Sequence, residues 1–203
     1  ASRLTDGESQ LLVATKNGMA IRFSETDVRE MSRSAMGVRS IRLKAGDEVV
    51  GMAAVREGAT VITVTDKGIG RRSAVEDYPL QSRNGLGKVN YKVSDQRGHV
   101  CGIKVVDDSD DLILISNDGV IIRIAVEDIR VMSRYAGGVK VMRLGENDRV
   151  VTFVRADHSD DEETERIDET PEDSAEDLSS QELEKELETA ETDLPDEEES
   201  DEE

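Results

Sequence analysis

Basic residues recur along this chain at nearly constant intervals. Arg33, Arg83 and Arg134 each follow a serine and lie 50 and 51 residues apart, and Arg42, Lys92 and Arg143 repeat those two spacings, with Lys88 and Lys140 close by. Cations laid down periodically along an edge suit one chemistry above others. Each can neutralise a phosphate of a polyanion and release its counterions without reading bases. A lone arginine at a strand end is more often solvated or paired with a carboxylate, so the repetition carries the reading. A second set, Arg22, Arg72 and Arg123, keeps the same spacing but ranks lower as phosphate contacts, because Asp27, Asp77 and Asp128 recur in step with them and offer an internal pairing.

Other reactive side chains show no such pattern. His99 stands where the other repeats have Glu48 and Arg149, which marks a variable, exposed place and not an acid-base centre. Cys101 matches Val50 and Val151, so it reads as small apolar filler. Tyr91 matches Ile41 and Met142, a packing position, and Tyr78 and Tyr135 also lie within the repeats. None has the neighbours that nucleophilic catalysis requires. The only cysteine has no second thiol or nearby histidine at zinc spacing, and no phosphate-binding glycine loop is present. The reading is therefore of a chain with no catalytic residues, no metal and no cofactor.

The elements that position the cations come from an internal repeat. Residues 11–58, 60–108 and 111–155 share one plan: an apolar run, a glycine turn, an apolar run ending in arginine, a Ser-Arg pair, a glycine and two further strands. The turns Thr15-Lys16-Asn17-Gly18, Thr65-Asp66-Lys67-Gly68 and Ser116-Asn117-Asp118-Gly119 place glycine where a three-residue hairpin loop needs a left-handed residue. Gly37, Gly87 and Gly138 recur in the same register. The runs Leu12-Val13-Ala14, Val61-Ile62-Thr63-Val64 and Leu112-Ile113-Leu114-Ile115, with their partners Met19–Phe23, Ile69–Arg72 and Val120–Ile124, read as strands. Their nearly continuous apolar character predicts burial on both faces. A period near 50 residues with this pattern predicts an all-β, propeller-like stack of three four-stranded blades. Residues 1–10 read as the end of a preceding blade.

The charge is divided sharply along the chain. Residues 1–155 hold 24 Lys and Arg against 21 Asp and Glu, whereas residues 156–203 hold 2 against 25. The net charge of −20 thus belongs to the last segment, and the body is mildly basic. A segment so acidic, with no aromatic residue, cannot bury enough apolar surface to offset its ordering entropy and reads as a disordered tail. A weak helical signal spans Ser179 to Leu187. No apolar run is long enough to cross a membrane, and the lone cysteine fits a reducing, cytoplasmic setting.

Several motifs together resemble a known family. Phe23-Ser24-Glu25-Thr26-Asp27-Val28-Arg29-Glu30-Met31, leading into Gly37-Val38-Arg39-Ser40-Ile41-Arg42-Leu43, is similar to the later blades of the C-terminal domain of the DNA gyrase A protein. So are Gly68-Ile69-Gly70-Arg71-Arg72-Ser73, Glu76-Asp77-Tyr78 and Gln81-Ser82-Arg83. The resemblance covers residues 1–155, and an acidic end is common in that family. It implies a β-pinwheel of six blades, of which this chain holds the last three, with blades that exchange strands and a basic rim that wraps double-stranded DNA. The family's Gln-Arg-Arg-Gly-Gly-Lys-Gly box has a degenerate counterpart in Gln81-Ser82-Arg83-Asn84-Gly85-Leu86-Gly87, without the lysine. The resemblance also implies a bacterial, chromosome-associated parent enzyme. In it, an upstream breakage-reunion domain and the ATPase protein, gyrase B, in an A2B2 assembly using ATP and Mg2+, perform the chemistry. The topoisomerase IV paralogue and a propeller-like protein-interaction module are the alternatives.

Overall fold

The structure, a computed structural model, describes residues 2–157; the expected acidic tail and the helical signal within it lie outside the described residues. Each repeat opens with a hairpin. The pairs are β1 (Gln10–Thr15) with β2 (Met19–Ser24), β4 (Thr60–Thr65) with β5 (Ile69–Ala74), and β8 (Asp110–Ser116) with β9 (Ile121–Ala125). Gly18, Gly68 and Gly119 close the three turns at φ of 82°, 73° and 88°, where a side chain would be strained. A third strand returns along the other edge of each hairpin: β3 (Val49–Val55), β7 (Val100–Val106) and β11 (Val150–Asp157). Because β11 still pairs through Ala156 and Asp157, the folded body runs two residues past the boundary expected at Arg155.

The fourth strand of each complete sheet comes from the next repeat. β6 (Lys88–Val89) pairs with Met19 and Ala20 of β2, and β10 (Val139–Lys140) pairs with Ile69 and Gly70 of β5. The sheet orders are accordingly β3-β1-β2-β6, β10-β5-β4-β7 and β11-β8-β9, so the third sheet has three strands among the described residues. The run at Val120–Ile124, the most apolar of the second strands, therefore lies at an open edge, with Ile121 62% exposed.

The core lies between sheets. Leu12, Ala14 and Ala20 of the first sheet pack with Val61, Val75, Tyr78, Ile103 and Val105 of the second repeat. From the opposite face of β4, Ile62 and Val64 pack with Leu112, Leu114, Val126, Met142 and Phe153. All six residues of β4 are buried, which is why that strand shows no polar alternation. The third strands β3, β7 and β11 run beside one another where the sheets converge. In each complete sheet β6 or β10 forms the opposite, outer edge.

Strand exchange demands close backbone approach. A Cβ on Gly68 would collide with the Met142 carbonyl oxygen, and one on Gly18 with that of Tyr91, whereas at Gly119 it would meet nothing within 4 Å. Gly119→Ala should therefore cost only the left-handed conformational penalty, about 1–2 kcal/mol. Gly68→Ala should cost that amount plus displacement of the neighbouring strand, roughly 3 kcal/mol or more in all. Urea unfolding of the two variants beside the parent chain checks the difference.

Candidate nucleic-acid interface

Repeat register and strand order together determine which cations reach solvent. Lys88 and Lys140 lie on the outer-edge strands and are exposed. Lys88 stands opposite Ala20 and Lys140 opposite Ile69, one step apart in repeat register, so they project toward opposite faces of their sheets. Lys92 and Arg143 follow the same edge and are exposed, and Arg42 holds the equivalent place in the first repeat. The Arg42 backbone is anchored by donation of its N–H to the Gly85 carbonyl, 2.8 Å. Four of these side chains thus stand exposed on or just after the outer-edge strands of the two complete sheets, and Arg42 occupies the equivalent repeat position.

The loop arginines behave differently. Arg83 is half-buried and donates from Nε to the Asp27 carbonyl at 2.8 Å and from Nη1 to the Arg39 carbonyl at 3.1 Å. Arg134, expected on the rim, is buried. Its Nη1 donates to the Val89 carbonyl, its backbone N–H to Asp77 Oδ2 at 3.2 Å, and its guanidinium lies over the rings of Tyr78 and Tyr135. Arg39 and Val89 are the same repeat position. Each loop arginine thus rivets its repeat to the strand-exchange segment of the repeat before it. Arg33 holds this register in the first repeat and is exposed.

Arg22, Arg72 and Arg123 do not pair with Asp27, Asp77 and Asp128. Each reaches instead across its own hairpin. Arg22 Nε donates to Gln10 Oε1 at 2.6 Å, Arg72 Nε to Thr60 Oγ1 at 2.7 Å and Arg123 Nε to Asp111 Oδ2 at 2.6 Å. The first two then enter the next repeat. Arg22 Nη1 donates to the carbonyls of Val75 and Tyr78 at 3.0 and 3.1 Å, and Arg72 Nη1 to those of Val126 and Ile129 at 3.2 and 3.4 Å. Arg72 is buried and also pairs with Asp108. The three-residue turns at 25–27 and 75–77 leave the aspartates exposed, out of reach of these guanidiniums.

One polar cluster escaped the sequence reading. Arg71, 1% exposed, donates to Ser73 Oγ at 3.0 Å, to Asn90 Oδ1 at 2.8 Å and to the Tyr78 hydroxyl at 3.3 Å, and lies over the Tyr91 ring. Its repeat equivalents are Ile21 and Ile122. A charged residue in an apolar register was the available signal. Burial pushes the Tyr78 hydroxyl above its ordinary pKa, against the nearby Arg71 charge, and that hydroxyl donates to Asn90 Oδ1 at 2.7 Å. The tyrosine is a structural donor. Burial likewise pushes the Cys101 thiol up to about 12, and its Sγ donates to the Val64 carbonyl at 3.3 Å. His99 is exposed, with its backbone N–H held by Asp66 Oδ1 at 2.8 Å.

A second gathering of cations lies on the inner side. Arg3, Arg56, Lys104 and Arg155 line a cavity of about 370 Å³. Carboxylates offset it, with Arg56 on Asp107 at 2.7 Å and Arg155 near Asp110 at 3.5 Å. Desolvation, and then Arg3, lower the pKa of the Lys104 amine.

The repeat architecture has a direct match. A family model described as "DNA gyrase C-terminal domain, beta-propeller" matches residues 9–56, 59–107 and 110–157. The chain belongs to this family. Among its relatives, the DNA gyrase A protein of Haloquadratum walsbyi is 41% identical over 160 residues, covering 78% of this chain and 19% of that protein. The DNA gyrase A protein of Staphylococcus aureus is 39% identical over 167 residues, covering 81% of this chain and 19% of the relative. The chain therefore spans about a fifth of the length of these relatives. Two solved structures share the fold. A topoisomerase IV C-terminal domain has a TM-score of 0.72 at 29% identity, covering 76% of this chain and 49% of that one. A DNA gyrase A C-terminal domain has a TM-score of 0.70 at 25% identity, covering 75% and 52%.

Within this gyrase-family fold the two classes of arginine should separate experimentally. Arg134→Ala removes a buried guanidinium from charge-assisted bonds and aromatic contacts, and should cost about 2–4 kcal/mol in urea unfolding. Arg143→Ala should change stability by no more than about 0.5 kcal/mol. Equal losses for the two would contradict the assignment.

Proposed function

We propose that this chain binds double-stranded DNA without sequence preference along its outer edge, as part of a gyrase that introduces negative supercoils. The observation that carries the reading is the series of exposed cations Lys88, Lys92, Lys140 and Arg143, on or just after the outer-edge strands of the two complete sheets, with Arg42 at the equivalent position of the first repeat. Such a series neutralises phosphates at intervals and bends the duplex as it follows the edge. The elastic cost of that bend, a few kcal/mol, is offset by distributed contacts. Family membership supports the same reading. In the parent enzyme, the ATP- and Mg2+-dependent breakage and passage of DNA would belong to the breakage-reunion domain and the gyrase B protein of an A2B2 assembly. This chain would supply the wrapped segment. The 39% and 41% identical relatives, both named as the A protein of DNA gyrase, favour that parent over topoisomerase IV.

The acidic segment fits the role of a competitor. With 25 acidic residues against 2 basic ones beside a mildly basic body, it mimics a phosphate backbone tethered at high effective concentration. The test is the affinity for a random-sequence duplex across a salt series, for the full chain, for a chain ending at Asp157, and for Lys92→Gln with Arg143→Gln. The double variant should weaken binding and lower the salt slope by about 2, one for each phosphate no longer neutralised. Ending the chain at Asp157 should tighten binding at low salt. An unchanged slope in the double variant overturns the interface; an unchanged affinity after truncation overturns the competitor.

A further inference from the structure

Two of the inner strands carry a charge where the other repeats carry an apolar residue. Lys104 of β7 holds the register of Ala53 and Val154, and Arg155 of β11 that of Ala54 and Val105. The two charges face one another. Gly102 and Phe153 meet between the second and third sheets, with a Cβ on Gly102 lying 3.0 Å from the ring, and two residues further along each strand Lys104 and Arg155 project from the same faces. Arg56, just after β3, stands where the other repeats have Asp107 and Asp157. Together with Arg3, these side chains line the cavity of about 370 Å³. Their charge is only partly answered. Asp107 Oδ2 lies 2.7 Å from Arg56 and Asp110 Oδ2 3.5 Å from Arg155, which also approaches the exposed Asp157 at 3.6 Å. Lys104 is half-buried and pairs with no carboxylate among the described residues; burial, and then the Arg3 charge, lower its pKa. An anion set among these cations would favour the ammonium form in return.

We propose that this cavity binds a small, multiply charged phosphate of the diphosphate class, held by Lys104, Arg155 and Arg56. Arginine forks match phosphate oxygens in pairs, and lysine adds a point charge. Ala53, Ala54 and Val105 supply an apolar wall, which lowers the local dielectric and strengthens those contacts. The volume falls at the lower end of the range for small-molecule sites, about 300–1,000 Å³, and is too small to admit a duplex. The site is therefore separate from the outer edge, and its test does not depend on DNA binding.

Isothermal titration of the full chain with sodium pyrophosphate, at low salt and without divalent metal, tests the proposal. The parent chain should bind it. Lys104→Ala installs the residue that the first repeat carries in this register, so the fold is kept, as thermal melting checks, and the affinity should fall at least about tenfold. Lys104→Arg keeps the charge and should recover most of the affinity. Lys92→Gln with Arg143→Gln, on the outer edge, should leave it unchanged. Titration with ADP separates two sources of the same chemistry: equal or weaker binding assigns the site to free diphosphate, and tighter binding to a nucleotide. A second readout needs no variant. An anion that holds Lys104 as the ammonium slows its acylation, so saturating pyrophosphate should protect Lys104 while the exposed Lys44 and Lys67 react as before. No binding by the parent chain, an equal loss in the outer-edge variant, or acylation of Lys104 indifferent to pyrophosphate would each overturn the proposal.

Discussion

The backbone contact between one repeat's glycine turn and the next repeat's exchanged strand is the constraint on which the rest depends. It fixes the distance between neighbouring sheets at the points where Gly18 meets Tyr91 and Gly68 meets Met142. Once that distance is set, Leu12 and Ala14 can pack against Val61, and Ile62 and Val64 against Leu112 and Leu114, with apolar residues on both faces of a strand. No blade owns a complete sheet. Stability is therefore shared between neighbours, as nearest-neighbour coupling in repeat proteins requires.

Arginine serves two purposes here, separated by depth. Arg22 and Arg72 spend their donors on carbonyls of the next repeat's short turn, Arg83 and Arg134 on carbonyls of the preceding repeat's exchange segment. Backbone carbonyls at a sheet junction lack ladder partners, and a planar guanidinium with several donors can satisfy two at once. Exposed cations open to an external polyanion include those beyond the junction, on and just after the outer strands. Lysine is frequent among them, as suits an exposed, flexible point charge.

Much of the fold is legible in the sequence because a turn glycine, an apolar run and a terminal arginine each recur in one register. Period, hairpin position and strand type follow from residues such as Gly68 and Val61–Val64 with no tertiary information. The depth of each arginine does not follow. Arg134 and Arg143 share the same periodicity, and only the exchange of β10 onto β5 shows that the first is pinned beneath Tyr135 while the second is exposed. The pairing expected between Arg72 and Asp77 failed for a similar reason: the tight turn at 75–77 carries the carboxylate outward, while strand pairing aligns the guanidinium with Thr60. Arg71 was legible in principle, since isoleucine holds its place in the other repeats.

Placing the duplex on the outer edge, and not over the inner cavity, is the central claim, and lysine reactivity tests it most directly. The full chain would be acylated at low salt with and without a random-sequence duplex, and modification at each lysine read by mass spectrometry. Lys88, Lys92 and Lys140 should be protected by DNA, while Lys104 on β7 and Lys16, paired with Glu48, should react unchanged. Protection of Lys104 with continued reactivity at Lys88, Lys92 and Lys140 would place the DNA on the inner side and contradict the account.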